Sequence, residues 1–269
     1  MKFDLHTHHY RCGHADGDIR DYIEAGIAAG LQVIGISDHT PYFGFDEDQA
    51  FPNTAMGKSQ LSAYVQEVLD LKKEYEGKID VLLGIESDYF PHHAHLYKQQ
   101  LDLYPFDYII GSVHFSSGRS IFDPTRWDEL DNAGKVAVKE EYFRMIGESA
   151  QSGLFHILGH IDAMKSNYPA FTDIEAPQAL DQMLQTIATS GVAIEVNTSG
   201  KIKACGLWHP VDAILERAYH FGVEISFGSD SHIPQRVGDD FDVVAQKLRD
   251  IGYTEWVYYK QKQRQVVAL

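Results

Sequence analysis

The sequence predicts an α/β protein made of parallel βα units, arranged either as an open doubly wound sheet or as a barrel. Three observations carry this prediction. Short apolar runs of strand length alternate with longer amphipathic segments along the chain. No internal repeat, low-complexity tract or Pro/Gly/Ser-rich linker breaks the alternation, so residues 1–269 read as a single domain. Nearly every apolar run also ends in a histidine or a carboxylate, the position at which parallel α/β barrels gather ligand-binding and catalytic residues.

Taken in order, the strand candidates are KFDLH, VIGISDH, IDVLLGIE, YIIGSVH, FHILGH, GVAIEVN and VEISFGSDSH. Helix-length segments lie between them: Asp18 to Ala29, Lys58 to Tyr75, Asp131 to Gln151, Ala176 to Ser190, Val211 to Phe221 and Asp239 to Asp250. Gly191 and Gly222 each follow an apolar-periodic helix and precede a buried-type strand, as a glycine just past a helix C-terminus should. Residues 50–54 (AFPNT) read as a loop for cover or specificity, and the last residues, KQKQRQVVAL, as peripheral.

Composition narrows the class. Hydrophobic residues make up 44% and charged residues 23%, which suits a globular protein with a sizeable core. No apolar run is long enough for a membrane helix, and the N-terminus lacks the basic-then-apolar pattern of a signal peptide. Cys12 and Cys205 are too few for a disulfide framework, so a reduced, cytoplasmic setting is expected. A formal net charge of -16 argues against partners such as nucleic acid or an anionic membrane. It does not argue against a small anionic substrate, because bound metal ions reverse the sign locally.

The strand ends carry the functional signal. They deliver His6 and His8, Asp38 and His39, Glu86, His114, His160, Glu195, then Asp230 and His232. Alternate residues of an extended strand share a side, so His6 and His8 can reach one ion, and Asp230 and His232 repeat that spacing. A single H-x-H pair arises often by chance; metal-type ligands at strand end after strand end do not. Imidazole suits zinc, iron, nickel and copper.

The stretches LHTHHYRCGH, SDHTP, GIESDY, IIGSVHF, LGHID and GSDSH resemble the motifs of the polymerase-and-histidinol-phosphatase (PHP) family, from the first strand to about Pro234. That resemblance implies a distorted (β/α)7 barrel, TIM-like, with three divalent ions (Zn, Fe or Mn) at the C-terminal ends of the strands. Within the family, AMGKSQLSAYVQEVLDLKKEY, DLYPFDYIIGSVHF and EVNTSG look most like the stand-alone histidinol-phosphate phosphatases. The implied activity is hydrolysis of L-histidinol phosphate, with other small phosphate esters, nucleotides included, as the alternative. By the family pattern the first ion takes His6, His8, Glu86 and Asp230. The second takes Glu86 as a bridge with His114 and His160, and the third takes His14, His39 and His232. Cys12 is the alternative to His14 at that position.

Such a centre suits phosphate monoesters, whose uncatalysed hydrolysis is among the slowest known. Divalent ions neutralise phosphoryl oxygens, acidify a bound water and hold nucleophile and ester in line. The expected nucleophile is a hydroxide bridging the first two ions. Glu86, Asp230 and His232 are the expected catalytic residues, although no general acid can be assigned among groups that are also ligands.

Arg11, Lys165 and Lys201, from three rim loops, are the phosphate-binding candidates. Asp4, Asp38 and Asp162 are candidates to orient ligand histidines. For the organic part of the substrate, the rim loops offer Asp16, Tyr42, Phe43, Glu47, Asp48, Asp88 and Tyr89. His9 points away from its H-x-H neighbours, His92, His93 and His95 read as a surface helix start, and His156, His209 and His220 as packing or surface residues. A metal-bound module without turnover has no use for an open rim of this kind. No G-x-G-x-x-G or P-loop lysine supports a nucleotide-dependent enzyme on a doubly wound sheet.

Overall fold

A computed structural model describes residues 1–269. The elements run β1 (Phe3–Asp4), α1 (Ile19–Ala28), β2 (Val33–Ile36), α2 (Leu61–Glu74), β3 (Asp80–Leu83), β4 (Glu86–Asp88), α3 (Ala94–Leu101), β5 (Ile110–Ser112), β6 (Phe115–Ser116) and β7 (Arg119–Ser120). They continue with α4 (Asn132–Gln151), β8 (Ile157–Leu158), α5 (Pro177–Ser190), β9 (Ala193–Asn197), α6 (Asp212–Phe221), β10 (Ile225–Gly228), α7 (Phe241–Ile251), β11 (Glu255–Lys260) and β12 (Gln263–Ala268).

Two parallel sheets close on each other. One is β1-β2-β3; the other has the order β10-β9-β8-β5-β4. At one seam Thr7 bridges to Ser231 and the Leu5 N–H donates to Phe227 O at 3.2 Å. At the other His39 bridges to Glu86 and the Thr40 N–H donates to Glu86 O at 2.9 Å. β3 and β4 are two halves of one stave, divided at Gly84 and Ile85, so the sheet is a TIM-like barrel rather than an open doubly wound one. The sequence left those two arrangements open; the seams decide between them.

The staves are apolar along their length, as parallel strands covered by helices must be: every residue of β2, β9 and β10 is buried. Inside the barrel, Tyr108 lies where side chains at two neighbouring staves would otherwise stand. A Cβ on Gly35 would meet the Tyr108 hydroxyl at 1.9 Å, and one on Gly84 its ring at 2.3 Å. The hydroxyl donates to Leu5 O at 2.5 Å, so the ring ties three staves together below the site.

Helix ends follow local rules. Asp18 and Asp21 form a capping box at α1, and Asp131 caps α4 by accepting from the Gly134 N–H. Gly191 and Gly222 take the left-handed conformation at the ends of α5 and α6 (φ 68° and 71°), as expected from the sequence.

The C-terminal residues differ from expectation. KQKQRQVVAL is not peripheral: it forms the turn and second strand of an antiparallel hairpin, β11–β12, that crosses the N-terminal mouth of the barrel. Trp256 packs on Phe3 and Phe241 (ring centroids 5.0 and 4.5 Å). Lys260 pairs with Asp80, the Lys262 N–H donates to Asp107 O, and Arg264 bonds Glu224. The hairpin reaches the starts of several staves at once. Its polar, glutamine-rich sequence hid this, because only Val267 of β12 is buried.

Candidate metal centre

All the strand-end ligand candidates come together at the opposite, C-terminal mouth. The barrel geometry alone does this, since each side chain leaves the top of its own stave. The rings of His6, His8, His14, His39, His114, His160 and His232 form a continuous cluster, with neighbouring centroids 4.2–6.4 Å apart. Glu86 stands in the middle. Its Oε2 lies 2.9 Å from His39 Nδ1, 3.4 Å from His6 Nε2 and 3.6 Å from His8 Nε2. Its Oε1 lies 3.1 Å from His160 Nε2 and 3.4 Å from His114 Nε2, and accepts from the Ser112 hydroxyl at 2.6 Å. Asp230 Oδ1 lies 3.1 Å from His8 Nε2 and 3.7 Å from His6 Nε2. Its other oxygen accepts from Ser199 and Asn197 (2.9 and 3.2 Å).

A set of carboxylates behind the rings fixes their tautomers. His6 Nδ1 lies 2.9 Å from Glu195 Oε2, His8 Nδ1 3.2 Å from Asp38, and His114 Nδ1 3.1 Å from Asp88. Each Nδ1–H therefore donates outward, and each Nε2 lone pair faces the centre. The Nε2 atoms of His6 and His8 and the Oε2 of Glu86 are buried with no hydrogen-bond partner. Lone pairs aimed at a buried carboxylate repel unless a cation stands among them. The donor set fits divalent metal ions: His6–His8–Glu86, His39–Glu86–His114 and His8–His39–His232 each bring their ligand atoms within 4.8 Å of one another.

The electrostatics agree. Burial alone would lower the pKa of His6, yet Glu195, Asp230 and Glu86 carry it well above its ordinary value. His8 and His114 are likewise carried to about 9 against burial, by Asp230 and Asp38 and by Asp88 and Glu86. Burial would raise Glu86, but His39, His6 and His114 hold it well below the usual carboxylate range. The carboxylates thus stay charged and attract either protons or metal ions to the rings. At the outer edge, burial and the neighbouring rings of His39 and His8 lower His14 to about 4, leaving its ring neutral. Burial instead raises the Cys12 thiol, whose Sγ donates to His9 O. A neutral imidazole is the better ligand of the two, and His14 Nε2 lies 2.9 Å from His232 Nε2.

Two residues of the site carry backbone strain: His160 has φ 25° and Asp230 φ 50°. Neither is glycine, and such conformations persist where surrounding contacts hold them. The His160 N–H donates to Glu195 Oε1 at 3.1 Å.

The other expectations divide. Asp38 does orient a ligand-type ring, but Asp4 accepts backbone N–H groups of His6, Ser229 and Gly238 instead, and Asp162 holds Lys165 and His209. Asp88 supports His114, Tyr42 belongs to an aromatic cluster with Phe45, Phe51, Phe90 and Phe115, and Asp48 binds the Ser59 backbone. His92, His93 and His95 are exposed at the start of α3.

A cavity of about 390 Å³ opens over the cluster, lined by Glu86, His114, His160, Asp230 and His232 and by Phe122, Ser166, Asn167, Lys203 and His209. The three cations expected to meet phosphate do not line it. Arg11 bonds Glu67 at 2.6 Å, Lys201 bonds Asp240 at 2.8 Å, and Lys165 is fully buried one layer behind the wall, on Asp162. In an acidic chain, loop cations find carboxylate partners first. The cation on the wall is Lys203, two residues after Lys201. The sequence did not reveal the support Glu195 gives His6, although Glu195 ends a strand like the ligands, nor that His209, with no motif around it, lines the cavity.

The sequence profile of the PHP domain matches residues 4–199. The chain belongs to the PHP domain family. Two curated relatives span nearly the whole chain. "Probable histidinol-phosphatase" of Deinococcus radiodurans is 31% identical over 93% of this chain and 93% of its own length. The histidinol-phosphatase of Bacillus subtilis is 29% identical over 92% of this chain and 99% of its own. Among solved structures, the PHP barrel superposes on the histidinol phosphate phosphatase of Lactococcus lactis, complexed with zinc, L-histidinol and phosphate. The TM-score is 0.81 at 23% identity, over 98% of both chains. The profile ends before Asp230 and His232; the full-length relatives extend the likeness through the last stave.

Proposed function

We propose that this PHP protein is a metal-dependent phosphomonoesterase that hydrolyses L-histidinol phosphate to L-histidinol and phosphate. The observation that carries the reading is the convergence of the unpartnered His6 and His8 nitrogens on the unpartnered oxygen of Glu86. The full-length similarity to histidinol-phosphatases supports the choice of substrate.

His6, His8, Glu86 and Asp230 would hold one ion; Glu86, His114 and His160 a second; His14, His39 and His232 a third. His39 groups both with Glu86 and His114 and with His8 and His232, so it stands between the second and third sets. Bound there, divalent ions neutralise phosphoryl oxygens and acidify water at the reacting phosphorus. The chain's own residues do the rest. Glu195, Asp38 and Asp88 hold the ligand rings in one orientation, while Ser199 and Asn197 steady Asp230. Lys203 and Asn167 present a cation and an amide to the phosphate from the cavity wall. Phe122, with its ring 5.8 Å from His114, offers an aromatic surface for the imidazole of the substrate.

A phosphate-release assay across histidinol phosphate and nucleoside monophosphates tests the reading, run on protein stripped with chelator and reloaded with Zn, Mn or Fe. Activity should vanish on stripping, return on reloading and favour histidinol phosphate. Equal rates on nucleotides would transfer the protein to the broader phosphoesterase class, and full activity after stripping would defeat the metal chemistry.

A further inference from the structure

Behind one wall of the cavity lies a buried polar chain that makes no hydrogen bond to the ligand candidates, although its His209 ring packs edge-on to His160 with centroids 6.3 Å apart. Lys165 is fully buried. Its Nζ lies 2.5 Å from Asp162 Oδ1 and 2.7 Å from His209 Nδ1. His209 Nδ1 lies 2.8 Å from the same Asp162 oxygen, and His209 Nε2 lies 3.1 Å from Ser166 Oγ. The second Asp162 oxygen accepts from the Val211 N–H at 2.9 Å. Of these groups, His209 and Ser166 face the cavity, alongside Glu86, Asp230 and His232.

The arrangement is held firmly. The His209 backbone pairs with Asn197 in both directions, at 2.6 and 2.8 Å. A Cβ on Gly200 would meet His209 Nε2 at 2.6 Å, so glycine leaves the ring its space. Burying a lysine costs free energy that its single carboxylate partner repays only in part. A buried ammonium bonded to an imidazole at the wall of a hydrolytic site calls for a reason in the chemistry.

Hydrolysis of an alkyl phosphate supplies one. The leaving alkoxide is a strong base and needs a proton as the P–O bond breaks. Imidazoles and carboxylates that bind metal have no proton free to give, so the donor must come from outside the ligand set. With Lys165 protonated, His209 Nδ1 accepts from it, and the ring then carries its proton on Nε2, toward Ser166 and the cavity.

We propose that His209 is the proton donor to the leaving-group oxygen, directly or through the Ser166 hydroxyl, and that Lys165 recharges it. In this step the P–O bond breaks and the Nε2–H proton goes to the departing oxygen, forming the alcohol. A Lys165 proton crosses to Nδ1, which then donates to Asp162, and Lys165 is left as the neutral amine. The attacking water has brought one proton more than phosphate retains, and that proton restores Lys165 through solvent. Lys165 and Asp162 are positioning residues that act through His209. The inference rests on the phosphatase reading above.

The test compares an alkyl ester, L-histidinol phosphate, with an aryl ester, p-nitrophenyl phosphate, whose acidic phenol leaves without a proton. The variants are His209→Asn, Ser166→Ala and the charge-balanced pair Lys165→Met with Asp162→Asn, each checked for metal content and thermal midpoint. For His209→Asn and the pair, the ratio of alkyl to aryl kcat/KM should fall on the order of 100-fold or more. Ser166→Ala separates direct from relayed delivery: the ratio falls if the hydroxyl carries the proton and holds if Nε2 reaches the oxygen itself. An unchanged ratio in His209→Asn, whether both rates drop together or neither does, overturns the relay. Should His209→Asn fail to fold, the pair decides in its place. Wild-type protein inert toward every alkyl phosphate would overturn the phosphatase reading and the relay with it.

Discussion

Glu195 is the third residue of β9, and both of its oxygens lie within 3.0 Å of His6 Nδ1. The same carboxylate takes the strained His160 N–H and the Asn197 amide. It touches two ligand-type residues without reaching the cavity, so it orients the site from behind. Carboxylates in that position raise the basicity of a ligand ring and pin its tautomer. Glu195→Gln, which keeps the shape and removes the charge, should lower metal affinity by about 10–100-fold. Competition with a chromophoric chelator measures that loss, and affinity equal to wild type would remove Glu195 from this role.

His156 gives a residue-scale prediction at the opposite mouth. Burial and the nearby Lys262 lower its pKa from 6.5 to about 4, and its Nδ1 accepts from the Ile109 N–H. A folded pKa below the unfolded one means that the unfolded chain takes up the proton first. The stabilisation is therefore complete above about pH 6.5 and drains away as the pH falls toward 4. His156→Asn keeps an acceptor and abolishes the titration. Urea midpoints of variant and wild type should converge as the pH drops across that window; a constant difference would contradict the assignment.

Among the elements, the β11–β12 hairpin contributes most beyond expectation. Trp256 is buried between Phe3 of the first stave, Phe227 of the last and Phe241 of α7. Removing such a ring leaves a cavity that a rigid barrel mouth cannot collapse into. Trp256→Ala should cost about 3–5 kcal/mol, read from chemical denaturation, with the metal site some distance away and its ligand geometry kept. A loss below about 1 kcal/mol would show the hairpin to be loosely attached. Helix boundaries were legible because caps are local: Asp18, Asp131, Gly191 and Gly222 act on backbone groups within a few residues. The hairpin was not, since its partners Phe3, Asp80, Asp107 and Glu224 lie far away in sequence.

At the scale of the whole molecule, the acidic chain gathers its ligand-type rings around the carboxylates of Glu86 and Asp230 at one mouth of the barrel. Metal binding to the folded state adds stability that grows with the logarithm of the ligand excess over Kd. Chelator should lower the thermal midpoint and reloading restore it, followed by calorimetry with metal content measured in parallel. An unmoved midpoint would mean that the staves need no help from the site. No helix is long and apolar enough to cross a membrane.

The sequence by itself determined the alternation of strand and helix, the helix ends and the metal-type residues at the tops of the staves. These depend on periodicity and on interactions within a few residues, both of which are written locally. Tertiary structure alone decided the rest. Closure of the two sheets turned scattered strand ends into one cluster and chose barrel over open sheet. Folding also paired Arg11, Lys165 and Lys201 with carboxylates, set Lys203 on the wall, and brought His209 from an unremarked loop to Lys165 and Ser166. Which carboxylate a cation meets, and which face of a ring looks into a cavity, depends on residues far apart in the chain, and their meeting is a property of the closed barrel.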